Sequence, residues 1–578
     1  MKIILKLLTP ITVFVLLSGC SQQSAKTEAE TPSANTQTDV EQAAANEEGA
    51  ATETSFPAAS IDEAILRNRI ASLASDEFEG RAPATKGGEK TRQYLIDEMQ
   101  RIGLEPANGN SYEQAVPLIE LTADPQRSAF SVNGNPLTYK DEIVFWTKRV
   151  EENVNFSDSD LVFVGYGVVA PEYGWNDYEG IDVTGKTVVI LVNDPGYATK
   201  DPTLFKGPSM TYYGRWTYKY EEAARQGASA AIIIHQTEPA SYGWGVVEGS
   251  WSGPQLDLKR ANGGADRVLL EGWIQESIAQ RLFTDAGLDY EEQLLAAATP
   301  GFAPVEMSGL RASGNIKNIV RESSSANVAG VLRGAVRPDE YVLYMAHWDH
   351  LGRNFSASSD SIANGAVDNA TGTAGILSIA ESFATNETPP ERSVLFIAVT
   401  AEESGLLGSA YFAEDPFVPL GQIVGGVNVD ALLPTPPANN LIVIGNGASE
   451  LEDLLKTSAD KRGLALSPDA SPQSGFFYRS DHISLAKTGV PMLYANAGLD
   501  LVDGGEEAGR AIAAEYRAER YHKPADEYDV DWDMRSMVQT FEVLYEVGAA
   551  MAYSDTWPNW YDGNEFRALR DQQRAVAR

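Results

Sequence analysis

Three apolar runs that each end in metal-binding residue types constrain this chain more than any other feature. They are YVLYMAHWD (341–349), SVLFIAVTAEE (393–403) and IVGGVNVDALL (423–433). Runs this apolar suit strands covered on both faces, whereas a strand with one wet face alternates apolar and polar residues. LIVIGNG (441–447) and VPMLYANAG (490–498) have the same texture. Helix-like stretches lie among them: DNATGTAGILSIAESFA (368–384), SGLLGSAYFAE (404–414), LEDLLKTSADKRG (451–463) and MRSMVQTFEVLYEVGAAMAY (534–553). Strands alternating with helices predict an α/β fold, a mostly parallel mixed sheet flanked by helices. Such sheets place their binding sites at the carboxyl ends of the strands. His347, Asp349, Glu402, Glu403 and Asp430 stand there, with Asp368 opening a helix and His522 in YHKPADEYD before the last one.

Zinc takes imidazole nitrogen and carboxylate oxygen readily. Two zinc ions about 3.5–4 Å apart can share a carboxylate, which is a hydrolytic arrangement. Each ion then needs one histidine, one carboxylate of its own and the shared one. Adjacent residues at a strand end point to opposite sides, so in Glu402-Glu403 one acid can bind metal while the other faces substrate and moves protons. Singly, each residue has a plainer reading as a helix cap, a solvated acid or a packed histidine. Their order along the chain singles them out.

The 578 residues include one cysteine and five histidines, and 81 acidic residues oppose 45 basic ones for a net charge of −36. That acidity excludes the basic footprint of a nucleic-acid partner and a polybasic grip on anionic lipid. A single cysteine excludes an internal disulfide framework and a cysteine-rich metal site. Residues 1–19 read as a signal peptide, because Lys2 and Lys6 accompany a hydrophobic run too short for a comfortable membrane span. Leu17-Ser18-Gly19-Cys20 resembles a bacterial lipobox, which implies a lipid on Cys20. Ser21 after it implies the outer membrane of a Gram-negative cell. Residues 20–56, rich in Ala, Thr, Glu, Gln and Ser, read as a disordered tether. Residues 21–56 carry −6 and residues 57–578 carry −32, so the folded part is itself acidic.

A separate α+β unit is expected ahead of the strand-rich second half. LVFVGYGVV (161–169) and GKTVVILV (185–192) read as buried strands, and KYEEAARQGASAAIIIH (219–235) as a helix, a glycine turn and a strand. Its His235 reads as structural. The stretch 255–305 reads as helical and polar.

HWDHLG, DNATGTAG, AEESGLLGS, NVD, SDH and YHKPADEYD, in that order, resemble the co-catalytic zinc aminopeptidases, which include secreted bacterial leucyl-type aminopeptidases and have glutamate carboxypeptidase II as a relative. LASDEFEGRAPATKGGEKTRQYLIDEMQRIGLEPA (73–107) is similar to the start of bacterial members, and GYGVVAPEYGWNDYEGIDVTGKTVVIL to a protease-associated domain. The resemblance implies a zinc exopeptidase fold in two parts, 57–138 and 306–556. Between them, 139–305 would be an inserted α+β protease-associated domain with a helical extension, and 557–578 a C-terminal tail. It implies two Zn²⁺ per chain. His347 and Asp430 would hold one ion, Glu403 and His522 the other, and Asp368 would bridge them. Asp349 would orient His347, Glu402 would be the general base, and Tyr521 would donate a hydrogen bond to the tetrahedral intermediate. A cis peptide at Asp368–Asn369 is also implied. Asp481 and Arg479 are candidate substrate contacts, and Trp244, Trp251, Phe476 and Phe477 candidate pocket walls. His350, one residue past Asp349, has no assigned role. The implied activity is hydrolysis of the N-terminal bond of peptide substrates, with membrane contact only through the lipid. A carboxypeptidase or dipeptidase, a glutaminyl cyclase-like transferase and a non-catalytic surface binding protein are the alternatives.

Overall fold

A computed structural model describes residues 56–353 and 360–577; the expected signal peptide, the Cys20 anchor and all of the tether but Phe56 lie outside them. Four strands at the centre of the main sheet run parallel, in the order Arg392–Val399, Arg337–His347, Ile423–Asn428 and Met492–Ala497. Every residue of Arg392–Val399 is buried, as its unbroken apolar run requires. Side chains alternate between two cores. Val342, Tyr344 and Ala346 enter one with the helices Gly372–Ala384 and Arg535–Ala552, while Tyr341, Leu343 and Met345 enter the other with Phe412 and Leu485. The sheet is mixed at its flanks. Val305–Leu332, Glu113–Ala123 and Pro254–Leu258 extend it antiparallel on one side, and Asn440–Ile444 pairs antiparallel with Met492–Ala497 on the other. The α/β fold with helices on both faces is therefore present.

A second sheet has cores of its own. Asn153–Phe163, Thr187–Leu191, Ala230–His235 and Leu270–Gln275 run parallel in it, with Ile143–Trp146 antiparallel at one side. The stretch expected to be helical and polar holds the helices Glu276–Asp285 and Tyr290–Ala297, but also the strands Pro254–Leu258 and Leu270–Gln275. Glu271 and Gly272 interrupt the second of these and hide it from pattern reading. Pairing supplies what propensity lacks, and Glu271 is buried, accepting a hydrogen bond from Trp146 Nε1 at 2.9 Å.

The 28-residue strand Val305–Leu332 belongs to both sheets. Residues 305–317 pair with Asn153–Phe163, and residues 318–328 pair with Glu113–Ala123. The stretch 557–578, expected as a tail, is packed as far as it is described. Trp560 is fully buried, and Arg570 donates to the carbonyls of Ile423 and Val424 at 2.8 Å. Among the described residues, no helix is long and apolar enough to cross a membrane.

Candidate metal centre

The parallel strands deliver their terminal residues to one end of the sheet. His347 is the last residue of its strand, Glu402 and Glu403 lie in the turn after Arg392–Val399, and Asp430 lies just past Ile423–Asn428. Asp368 comes from the turn before the helix Gly372–Ala384, and the Asp368–Asn369 bond is cis. That turn is held from behind. Asp526 accepts hydrogen bonds from the backbone N–H of Val367 (3.0 Å) and Asp368 (3.1 Å). The buried Arg81 guanidinium donates to the carbonyls of Leu73, Trp348, Asn364 and Gly365 at 2.5–2.9 Å. Gly365 must be glycine, since its φ is +56° and a Cβ there would lie 2.5 Å from the His350 ring.

Asp368 stands between two histidines. Its Oδ1 is 3.3 Å from His347 Nε2 and its Oδ2 is 3.3 Å from His522 Nε2. His347 Nε2 also lies 3.2 Å from Asp430 Oδ1, and His522 Nε2 lies 3.3 Å from Glu403 Oε2. Two cradles result, one of His347 and Asp430, the other of His522 and Glu403, with one carboxylate shared. Glu402 groups with the first cradle, its carboxylate within metal-binding reach of His347 and Asp430. His522 has a left-handed backbone (φ +57°), a conformation found disproportionately at functional sites.

The electrostatics suit cations. Burial would push the Asp368 carboxyl up, but hydrogen bonds from His347 and His522 outweigh it and hold the group well below the ordinary range. Burial would push His347 down, but the charges of Glu402 and Asp430 drive it well above its usual value. His522 is raised to about 9, with burial overcome by the charge of Glu403 and the bond to Asp368. Glu402 is raised well above its usual value by burial, reinforced by the charges of Asp430 and Glu403. Four acids and two imidazoles this close are mutually compatible only when positive charge lies among them. Nitrogen and oxygen donors in this ratio fit two zinc ions.

Asp349 is fully buried, but its contacts differ from the expectation. His347 Nδ1 faces the backbone carbonyl of Asp349 at 3.1 Å and its carboxylate only at 3.9 Å. The carboxylate instead accepts the backbone N–H of Glu402 at 3.1 Å, which fixes the turn carrying both glutamates. Its other oxygen has no partner, and burial pushes the group up to about 7. Tyr521 stacks on His522, with ring centroids 3.9 Å apart. Asp481 is fully buried with both oxygens unpartnered and is raised by burial to about 7. Arg479 lies over the Phe476 ring, 5.1 Å from its centroid.

His350 is the residue sequence reasoning left unassigned. Its Nδ1 is 2.6 Å from Glu403 Oε1, so the two oxygens of Glu403 are divided between His350 and His522. His350 therefore positions the Glu403 carboxylate, and where such a carboxylate binds metal, loss of its partner costs about 10- to 100-fold in metal affinity. His350→Ala is accordingly expected to weaken zinc binding by that factor in a competition titration, and His522→Ala to weaken it more. Equal zinc affinity in His350→Ala and wild type would contradict the assignment. His235 behaves as expected of a structural residue, with Nε2 3.0 Å from the carbonyl oxygen of Tyr242.

The centre opens into a cavity of about 1560 Å³ that both sheets line. Trp251 and Phe476 reach it, whereas Trp244 and Phe477 are not among its lining residues.

Residues 327–547 match peptidase family M28. Aminopeptidase NAALADL1 of Mus musculus is 36% identical over 138 residues, which are 23% of this chain and 17% of that protein. The glutamate carboxypeptidase 2 homolog of Caenorhabditis elegans is 34% identical over 120 residues, 20% of this chain and 14% of its own length. The chain thus spans about a sixth of the length of these curated relatives. Among solved structures, the aminopeptidase from Aneurinibacillus sp. strain AM-1 aligns with a TM-score of 0.47 at 18% identity, over 85% of this chain and 94% of that one. BSAP, a zinc aminopeptidase from Bacillus subtilis, aligns with a TM-score of 0.42 at 16% identity, over 87% and 98%. The stretch that matches this family, 327–547, carries every residue of the two cradles.

Proposed function

We propose that this protein is a zinc-dependent exopeptidase, and specifically an aminopeptidase that removes residues from the N-terminus of peptides. The observation that carries the reading is Asp368 placed between His347 and His522, with an uncommitted glutamate, Glu402, beside the first cradle. His347 and Asp430 would hold one zinc ion, His522 and Glu403 the other, and Asp368 both. Two zinc ions there would supply a water of lowered pKa and Lewis acidity toward the scissile carbonyl. Glu402 takes a proton from the attacking water and returns it to the departing amine. Burial raises its proton affinity, the direction that favours holding the proton between the two transfers. The Tyr521 hydroxyl is driven well above its usual pKa by burial and then by the charges of Asp368 and Glu403. It therefore stays protonated and can donate to the oxygen that gains charge in the transition state. The acids around the centre would also receive the free amine of the substrate.

The sequence also supports export through residues 1–19, a lipid anchor at Cys20 facing the periplasm or exterior, and an inserted protease-associated domain with a helical extension over 139–305.

A panel of aminoacyl arylamides, free and N-acetylated, tests the activity. Hydrolysis of the free forms only, abolished by a chelator and restored by zinc, is expected. Turnover indifferent to chelation would remove the mechanism, and preference for N-blocked peptides would replace the aminopeptidase with a carboxypeptidase.

A further inference from the structure

The Glu402 side chain has no partner to hold it. Among the described residues, no group lies within hydrogen-bond distance of its carboxylate, whereas His350 and His522 both face the Glu403 carboxylate. The place of Glu402 is therefore set by the backbone of the turn 400–408, which carries both acids. That backbone is strained, because Ala401 (φ +54°) and Leu406 (φ +62°) are left-handed without being glycine. Such a conformation persists only where surrounding contacts impose it.

One buried side chain makes contacts at both ends of this turn. Asn327, fully buried on the strand Val305–Leu332, accepts the Thr400 N–H through Oδ1 at 3.0 Å and donates from Nδ2 to the Gly408 carbonyl at 2.8 Å. The same two residues also meet directly, the Gly408 N–H donating to the Thr400 carbonyl at 2.9 Å, so the amide closes the neck of the turn. Gly408 lets it approach, since a Cβ there would lie 2.5 Å from Asn327 Oδ1. Asn327 Nδ2 also donates to Gln114 Oε1 at 2.9 Å, and Gln114 Nε2 donates to the Asp415 carbonyl at 2.7 Å. Both hydrogens and the oxygen of the Asn327 amide are thus committed, which fixes the way it faces. Two residues back on the same face of the strand, Ser325 Oγ lies 2.7 Å from Thr400 Oγ1.

A general base must stand within hydrogen-bond reach of the proton it takes, and a misplacement of about 1 Å costs about a hundred-fold in rate. Glu402 lies two residues past Thr400, on backbone anchored at the neck by Asn327 and at its own N–H by Asp349. We propose that Asn327 is a positioning residue for the peptidase reaction. By closing the neck of the turn it holds the Glu402 carboxylate at the attacking water, and Gln114 keeps the Asn327 amide turned the right way. The proposal deepens the peptidase reading and rests on it for the role of Glu402.

The test measures kcat, KM and zinc per chain with leucine p-nitroanilide in the unsubstituted enzyme, Asn327→Ala, Glu402→Gln and the double variant. Asn327→Ala is expected to lower kcat roughly ten- to a hundred-fold, the cost of a displaced base, with KM and zinc content unchanged. In the Glu402→Gln background the same substitution is expected to cost nothing further, because the group it positions no longer acts as a base. Wild-type kcat in Asn327→Ala would overturn the role. So would an equal loss in both backgrounds, which is what a purely structural defect gives, and so would loss of zinc along with activity, which would place Asn327 behind Glu403 instead. Gln114→Met keeps the Asn327 side chain and only frees its amide, so it reads the same role even where Asn327→Ala does not fold. A smaller fall in kcat, again confined to enzyme that has Glu402, is expected of it, and wild-type kcat would count against the role. No hydrolysis by the unsubstituted enzyme would sink the peptidase reading itself, and this role with it.

Discussion

Glu402→Gln is expected to lower kcat by about a hundred- to ten-thousand-fold, the usual worth of a positioned general base, while zinc content stays at two per chain. The substitution is nearly isosteric and removes only the capacity to hold and release a proton. Glu402 sits beside His347 and Asp430, and the proposed ligand set of His347, Asp430, His522, Glu403 and Asp368 is complete without it. Its turn is fixed through the backbone by Asp349, so the fold does not depend on the acid. The decisive measurement pairs single-turnover kinetics with metal analysis. Wild-type turnover would remove Glu402 from the base role, and loss of zinc would move it into the ligand set.

Asp368→Asn is expected to have the larger effect, with zinc falling to one ion or fewer per chain and activity falling to background. Among the described residues, Asp368 alone pairs with both His347 and His522, and an amide offers one oxygen and one NH₂ in place of two anionic oxygens. The NH₂ would point at one cradle, and the charge that offsets two cations would be gone. Asp526 holds this turn by backbone hydrogen bonds that the substitution leaves in place, so folding is expected to persist in near-UV circular dichroism. A folded variant still holding two zinc ions would show that the bridge is dispensable.

The parallel centre of the main sheet was legible because burial on both faces leaves unbroken apolar runs, and those runs point to their own ends. His347, Glu402, Glu403 and Asp430 could be placed that way. His522 could not. It follows no strand, and only its motif drew attention to it. His350 was missed because the strand ends at His347, and beyond that point alternation no longer tells which way a side chain faces. The strand Val305–Leu332 was hidden by its composition. SGLRASGN and RESSSAN are rich in glycine, serine and asparagine, and their extended form comes from partners on either side.

That strand has a mechanical consequence. Because one unbroken backbone is laced into both sheets, the second layer cannot swing on a slack connector. Cleft opening must twist or bend a paired ribbon, whose resistance restores the closed arrangement in the manner of a torsion spring. A force pulling the layers apart along it would load many ladder hydrogen bonds together in shear, where separation is hard, and not one after another as in a zipper.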